Sequence, residues 1–161
     1  MKIVFIITFI FFSSLASSKN SIFCNFEEVY QNGEFQQGFF LLKDDNLRYE
    51  YYGKNLFTIL FLNKNLYVVE NSNPLKAQIL DDHNSIIPYL IDIYSKYPDI
   101  QNSFSVKNYK FRIERNHIGF IKRLIINSPK LNLSIYFNNC EEIEINKKYL
   151  NFNPLVKYVQ H

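Results

Sequence analysis

The sequence predicts a mainly β protein whose strands form a single antiparallel sheet, meandering and strongly curved. Two features lead to this fold class. Strand-forming residues gather in about ten short runs, many of which alternate apolar and polar side chains. Clusters of Asn, Asp, Gly and Pro separate the runs at regular spacing, as turns do between neighbouring strands. A single segment has the spacing of a helix instead.

The strand pattern begins after residue 20. Ser21 to Tyr30 is the first predicted strand, and Gln31-Asn32-Gly33 favours a turn at its end. Phe35 to Lys43 is the second, followed by the turn residues Asp44-Asp45-Asn46. The other predicted strands are 47–52, 56–62, 66–69, 75–80, 104–106, 109–115, 120–126, 131–137 and 143–145, and residues 149–159 are predicted to be extended.

The predicted helix lies in the middle of the chain. Residues 81–85 are of types that cap a helix N-terminus, and Pro88 fits within a first helical turn, where its missing N–H costs little. The segment ends at Tyr97-Pro98. Apolar side chains recur at helical spacing at Ile86, Ile87, Leu90, Ile91 and Tyr94.

The run 56–62 differs from an ordinary half-buried strand because Thr58 is its one polar residue. An antiparallel sheet normally keeps one face in water, so this run indicates that both faces of the sheet are covered. A curved sheet can fill its concave face with its own side chains, or it can leave a hollow for an apolar ligand. The pattern alone leaves both interpretations open.

The N-terminus has the pattern of a secretory signal peptide, predicted over residues 1–16. Lys2 precedes an apolar stretch from Ile3 to Phe12, and Ser14-Leu15-Ala16 offers the small residues that a signal peptidase requires. The alternative is a retained membrane anchor, although the apolar stretch is shorter than the roughly 20 residues of a spanning helix. We expect residues 17–161 to form one domain.

Composition argues against nucleic-acid binding and against catalysis. The formal net charge is +3, and the Lys and Arg residues are scattered rather than clustered. The three His residues are far apart, no metal-binding spacing of His or Cys occurs, and 4 Gly leave little material for a phosphate-binding loop. The sequence therefore predicts a protein that is not an enzyme and has no metal or cofactor.

The two cysteines, Cys24 and Cys140, permit a single disulfide in an oxidising compartment. The alternative is two separate buried thiols, and the sequence leaves both open.

Several short motifs follow one another in a fixed order. Phe26 precedes Gly33 and the segment Gln37-Gly38-Phe39-Phe40-Leu41. Three further segments are similar in sequence or position to the patterns "FRWEY", "DGKxLW" and "TPxxLL", and a last one resembles a closing "FxFxxP". They are Leu47-Arg48-Tyr49-Glu50-Tyr51, Asn63-Lys64-Asn65-Leu66-Tyr67, Ile87-Pro88-Tyr89-Leu90-Ile91 and Leu150-Asn151-Phe152-Asn153-Pro154.

In this order and spacing, the chain from Phe26 to Val159 resembles the LolA-type outer-membrane lipoprotein carriers. The resemblance implies an unclosed half barrel with a helical lid and an apolar cavity. It also implies a monomeric periplasmic chaperone that takes acylated lipoproteins from an inner-membrane ABC transporter and passes them to an outer-membrane receptor. Two other functions remain open: a carrier or sensor of another lipid or amphiphile, and a secreted β-rich interaction domain without a cavity.

The resemblance also implies a set of site residues. Lys43 occupies the position of an Arg that latches the lid in that family, while the family's first lid helix has no counterpart here. The ligand contacts implied by the family's concave face are Phe39, Leu41, Tyr49, Tyr51, Phe57, Ile59, Phe61, Tyr67, Phe111, Leu133 and Ile135 on strands, with Leu90 and Ile93 on the helix.

Overall fold

The structure is a computed structural model, and it describes residues 21–80, 86–96, 99–117 and 119–155. The predicted signal peptide, the helix-capping residues 81–85 and the end of the predicted extended tail lie outside these ranges. Ten strands and one α-helix are described: β1 Ser21–Tyr30, β2 Phe35–Lys43, β3 Asn46–Tyr51, β4 Phe57–Leu62, β5 Asn65–Glu70, β6 Asn73–Leu80, α1 Ile87–Ser95, β7 Ser103–Val106, β8 Tyr109–Arg115, β9 Ile121–Asn127 and β10 Asn132–Ile143.

All ten strands belong to one antiparallel sheet, in the order β6-β5-β4-β3-β2-β1-β10-β9-β8-β7. Two meanders, β1 to β6 and β7 to β10, meet where β1 pairs with β10. The outermost strands β6 and β7 do not pair with each other, so the sheet is not closed into a barrel. The prediction of a mainly β protein with a single antiparallel sheet is confirmed.

Strand β10 is longer than the sequence pattern predicts. The sequence divides this region into 131–137 and 143–145, whereas β10 runs without a break to Ile143. The partner strand is the reason: β1 is ten residues long, and its first residue, Ser21, pairs with Ile143. A neighbouring strand supplies backbone hydrogen bonds even to polar residues, and the register shift near Phe23 absorbs the irregularity.

Two-residue turns fix the register of two hairpins. Asp44 and Asp45 connect the pair Lys43–Asn46, and Asn63 and Lys64 connect the pair Leu62–Asn65. Asp44, Asn63 and Lys64 have positive φ angles of 54°, 51° and 67°, as tight hairpin turns require. Each turn thereby decides which side chains of its two strands share a face.

The sheet has two differently covered faces. We call the side that carries Tyr49, Ile59 and Ile135 the helix face, because α1 packs there in one buried cluster with these strands. The Tyr89 ring of α1, for example, lies 5.7 Å from the Phe111 ring of β8. We call the opposite side, which carries Arg48, the strap face, and residues 145–155 the strap.

Cys24 of β1 and Cys140 of β10 are joined by a disulfide with an S–S distance of 2.05 Å. Of the two alternatives left open by the sequence, the structure therefore has the bridge, and it links β1 and β10, the strands where the two meanders meet.

Gly38 explains part of the first motif. It lies on the helix face opposite Phe26, and a Cβ atom at this position would collide with the Phe26 ring and with the backbone of Glu50. The Phe26 ring occupies this space and stacks on Tyr49 with ring centroids 3.9 Å apart. A glycine is therefore required so that β1 and β3 can bring these two rings together across β2.

Candidate functional site

The helix face carries an apolar strip on β4 to β6 that is only partly covered. Phe57 is 38% exposed and Leu80 is 43% exposed, while Ile59, Phe61 and Val68 are half-buried. The strand pairs Ile59–Val68 and Phe61–Leu66 place the strip on one face. Phe57 and Leu80 lie at opposite ends of the strip, on β4 and β6. A continuous, partly exposed apolar surface often marks a site that binds lipid or another protein.

An open pocket of about 300 Å³ lies at the other end of the helix face, between α1 and β7. Ile93 of α1, Ile100, Phe104 and Val106 provide its apolar lining, and Asp92, Lys96, Asp99 and Gln101 provide its polar one. Lys96 donates a hydrogen bond of 2.6 Å to Asp92. The volume is at the lower end of the range for small-molecule sites.

Ten of the ligand contacts implied by the resemblance belong to the helix face. Seven of them are buried in the central cluster, and three are the strip residues Phe57, Ile59 and Phe61. The buried residues fill the middle of the helix face, so the partly exposed apolar surface lies at its two ends. The seven buried residues are Tyr49, Tyr51, Leu90, Ile93, Phe111, Leu133 and Ile135.

The other three contacts, Phe39, Leu41 and Tyr67, lie on the strap face, so their expected position beside Tyr49 is wrong. The two-residue turns are the reason. Because Lys43 pairs with Asn46, Tyr49 pairs with Phe40 rather than with either neighbour of Phe40. The turn after β4 likewise pairs Tyr67 with Leu60.

A buried carboxylate lies in the helix face at Glu28. Three tyrosine hydroxyls donate hydrogen bonds to it: Tyr30 at 2.7 Å, Tyr49 at 2.8 Å and Tyr51 at 3.0 Å. Burial, and then the nearby Glu28 carboxylate, raise the pKa values of Tyr30 and Tyr51 above the ordinary value of 10.0. These hydroxyls therefore stay protonated and remain hydrogen-bond donors well into the alkaline range.

On the strap face, Arg48 binds the backbone of the strap. Its side chain and that of Glu50 are both 0% exposed. Nε and Nη2 of Arg48 lie 2.7 and 2.6 Å from Glu50 Oε2. Nη1 donates to the carbonyls of Tyr149 at 3.1 Å and Asn151 at 2.7 Å, and Nη2 donates to that of Asn153 at 2.6 Å. These five contacts match the five N–H groups of a guanidinium, which a lysine could not reproduce.

Two further contacts hold the ends of the strap. The backbone N–H of Leu155 donates to the Glu50 carboxylate at 3.1 Å. Lys43 Nζ donates to the carbonyl of Ile145 at 2.5 Å. Lys43 therefore binds a backbone carbonyl of the strap, and its role as a latch of the helical lid stays a prediction.

The sequence analysis did not identify Arg48 and Glu50 as candidate site residues, and the structure places both on the face opposite Tyr49. The available signal was an oppositely charged pair at i and i+2 in a strand with apolar neighbours. Such a pair points to one side of the sheet and needs partners there if that side is covered.

The described residues contain no cluster of three or more His, Cys, Asp or Glu that could hold a metal ion. Within the same ranges, no helix is long and apolar enough to cross a membrane. A scan against protein-family models finds no match for this chain, and a search of the curated proteins finds no similar sequence.

Proposed function

We propose that the protein binds an acyl chain on the helix face of its sheet and carries it through water, with α1 serving as a lid over an open half barrel. The observation that carries the proposal is the apolar strip, which leaves Phe57 and Leu80 in contact with solvent at the margin of an otherwise buried apolar face. A chain of about 16 carbons gains roughly 12 kcal/mol when it moves from water to an apolar site, so such a surface can retain it.

The cargo that we propose is an acylated lipoprotein in the periplasm, received from an inner-membrane ABC transporter and passed to an outer-membrane receptor. The sequence motifs support this choice, together with the signal-peptide pattern of residues 1–16. Another amphiphile with a single acyl chain would use the same strip.

The second candidate is an interaction domain with a filled core. It is favoured by the deep burial of the seven central residues of the helix face, including Leu133 and Ile135, because their side chains already contact one another. Under this alternative the apolar strip would bind a protein surface and not a lipid.

Titration with a fluorescent fatty acid distinguishes the two candidates. We expect saturable binding, displaced by unlabelled palmitate, and weakened at least about fivefold by Phe57→Ser because one large apolar contact is lost. Phe35→Ser is the matched control, since Phe35 is 63% exposed and begins β2 outside the strip. Absence of saturable binding, or equal losses in the two variants, would refute the acyl-chain proposal.

A further inference from the structure

Three lysines that are scattered in the sequence come together at one end of the sheet. Lys107 lies in the two-residue turn between β7 and β8, and Lys110 follows on β8. Lys130 lies in the turn between β9 and β10. Because β8 pairs with β9 in antiparallel fashion, both turns lie at the same end of the sheet. The fold therefore gathers positive charge that the sequence alone does not show as a cluster.

An open pocket of about 450 Å³ lies between these two turns. One row of its lining crosses three paired strands: Ser105 of β7 pairs with Lys110 of β8, and Lys110 pairs with Asn127 of β9. Since neighbouring side chains in a strand alternate, the row lies on the side of the sheet opposite the buried Phe111. The pocket is therefore separate from the apolar strip and from the pocket beside α1, which both belong to the helix face.

The turns that form the walls of this pocket are held by hydrogen bonds of their own. In the turn between β9 and β10, the backbone N–H of Ser128 donates to the carbonyl of Leu131 at 2.7 Å. The Ser128 hydroxyl accepts from the backbone N–H groups of Lys130 at 3.3 Å and of Leu131 at 3.0 Å. The other wall is a tight turn between the paired residues Val106 and Tyr109. A ligand would therefore meet a wall that needs little ordering on binding.

The charge of this pocket is unbalanced. Among the described residues, no carboxylate lines it, and neither Lys107 nor Lys110 has an ion-pair partner. Glu114, the carboxylate of β8, pairs with Arg112 at 3.3 Å and with Arg123 at 3.9 Å instead. Two ammonium groups without a carboxylate favour an anion that offers several acceptor oxygens.

We propose that this pocket binds the phosphate ester of a small polyol. Lys107 and Lys110 contact the phosphate, and the side-chain amides of Asn108 and Asn127 bind the hydroxyls of the polyol. The volume lies within the range of small-molecule sites, so it leaves room for an organic part beside the phosphate. No aromatic ring is among the described lining residues, so the pocket offers a nucleobase nothing to stack on. The ester is either a free metabolite or the headgroup of an anionic phospholipid.

The test for a free ester is an NMR titration of the full chain with glycerol 1-phosphate at low salt. We expect saturable shifts of the amides of residues 107–110 and 127–128. Lys110→Gln should weaken binding about tenfold, because a charge-assisted hydrogen bond is lost. Lys122→Gln is the matched control: it removes the same charge from an exposed position of β9 outside the pocket, and should change the affinity less than about twofold.

Sedimentation with vesicles tests the headgroup as the source of the ester. Vesicles that contain phosphatidylglycerol are compared with vesicles of phosphatidylcholine alone, for the wild type and for Lys107→Gln/Lys110→Gln. Binding that requires both phosphatidylglycerol and these lysines would assign a lipid headgroup, and binding of glycerol 1-phosphate alone would assign a free ester. Equal losses in Lys110→Gln and Lys122→Gln would reveal a general surface-charge effect and overturn the proposal. Absence of saturable binding to either probe would also overturn it.

Discussion

At the scale of single residues, the Glu28 cluster shows how a buried charge is accommodated in an apolar face. A carboxylate without partners would be very costly at this depth, but three tyrosine hydroxyls direct their protons toward it. Phe26 stacks on Tyr49 and lies edge-on to Tyr51, which restricts the orientation of both phenol rings. The cluster therefore orders the centre of the helix face.

The cluster should make the protein sensitive to alkali. Because the pKa values of Tyr30 and Tyr51 are raised in the folded state, the folded chain keeps protons that the unfolded chain loses near pH 10. The contribution of these two tyrosines to the free energy of unfolding is therefore fully present below pH 10. Above pH 10 it falls by about 1.4 kcal/mol per pH unit for each tyrosine.

Tyr51→Phe removes one of these groups. We expect a loss of about 2 kcal/mol at neutral pH, from the hydrogen bond to Glu28, and a shallower fall in stability above pH 10. Urea unfolding from pH 7 to 11 measures both effects. Tyr149→Phe, at a partly exposed tyrosine of the strap, is the matched control, and an unchanged alkaline slope in Tyr51→Phe would contradict the assignment.

The contacts of Arg48 with the strap could not be predicted from the sequence. Nothing in the sequence identifies the carbonyls of residues 149, 151 and 153 as partners of Arg48, since every residue has a carbonyl. The motif Leu47-Arg48-Tyr49-Glu50-Tyr51 locates the charged pair. The hydrogen bonds of Arg48 to backbone carbonyls more than 100 residues further along have no corresponding signal in the sequence.

At the scale of elements, alternation predicted the strands well and their facing poorly. The bounds of β1, β2 and β8 agree with the sequence pattern, because turn residues follow β1 and β2 and because β8 alternates apolar and polar side chains. The facing of Phe39, Leu41 and Tyr67 was wrong because it depends on whether a turn holds two residues or three. The turns Asp44-Asp45 and Asn63-Lys64 each hold two residues, so the residues on either side of each turn pair with each other. Numbering the strands outward from these pairs gives the register and the face of each side chain.

The pairing of Arg48 with Glu50 should dominate the stability of the strap. Arg48→Ala leaves Glu50 buried without its cation, so we expect a loss of about 3–5 kcal/mol in the free energy of unfolding. The double variant Arg48→Met/Glu50→Leu removes both charges and should recover most of this loss. Urea unfolding of the single and double variants measures the difference.

Hydrogen exchange separates stability from strap binding in the double variant. Although its global stability should be largely restored, the amides of residues 149–155 should exchange faster than in the wild type, because the groups that hold the strap are gone. An Arg48→Ala variant within about 1 kcal/mol of the wild type would show that the pair does not hold this segment.

At the scale of the whole molecule, one bridge joins the two meanders that make up the sheet. The bridge between Cys24 and Cys140 spans 116 residues of sequence, so it removes a large part of the conformational freedom of the unfolded chain. We expect Cys24→Ala/Cys140→Ala to lower the free energy of unfolding by about 4 kcal/mol. Chemical unfolding of the double variant beside the oxidised wild type measures the loss, and equal stabilities would exclude this role for the bridge.

The single antiparallel sheet could be predicted from the sequence, whereas the segments that cover its two faces could not. The run 56–62 indicated that both faces of β4 are covered. This holds for the strap face, where Leu60 and Thr58 lie fully buried, but only in part for the helix face, where Ile59 and Phe61 are half-buried. What covers each face depends on contacts between distant segments, such as Tyr67 with Phe152, and local patterns do not encode these.

The measurement that tests the carrier proposal most directly is native mass spectrometry, with lipid extraction, on the protein purified from a Gram-negative periplasm. The proposal predicts a bound species that bears acyl chains, and an acylated lipoprotein would identify the cargo class. A clean mass of the protein alone, together with no binding of the fluorescent fatty acid, would contradict it. The helix face would then be a filled core, and the apolar strip would be a surface for another protein.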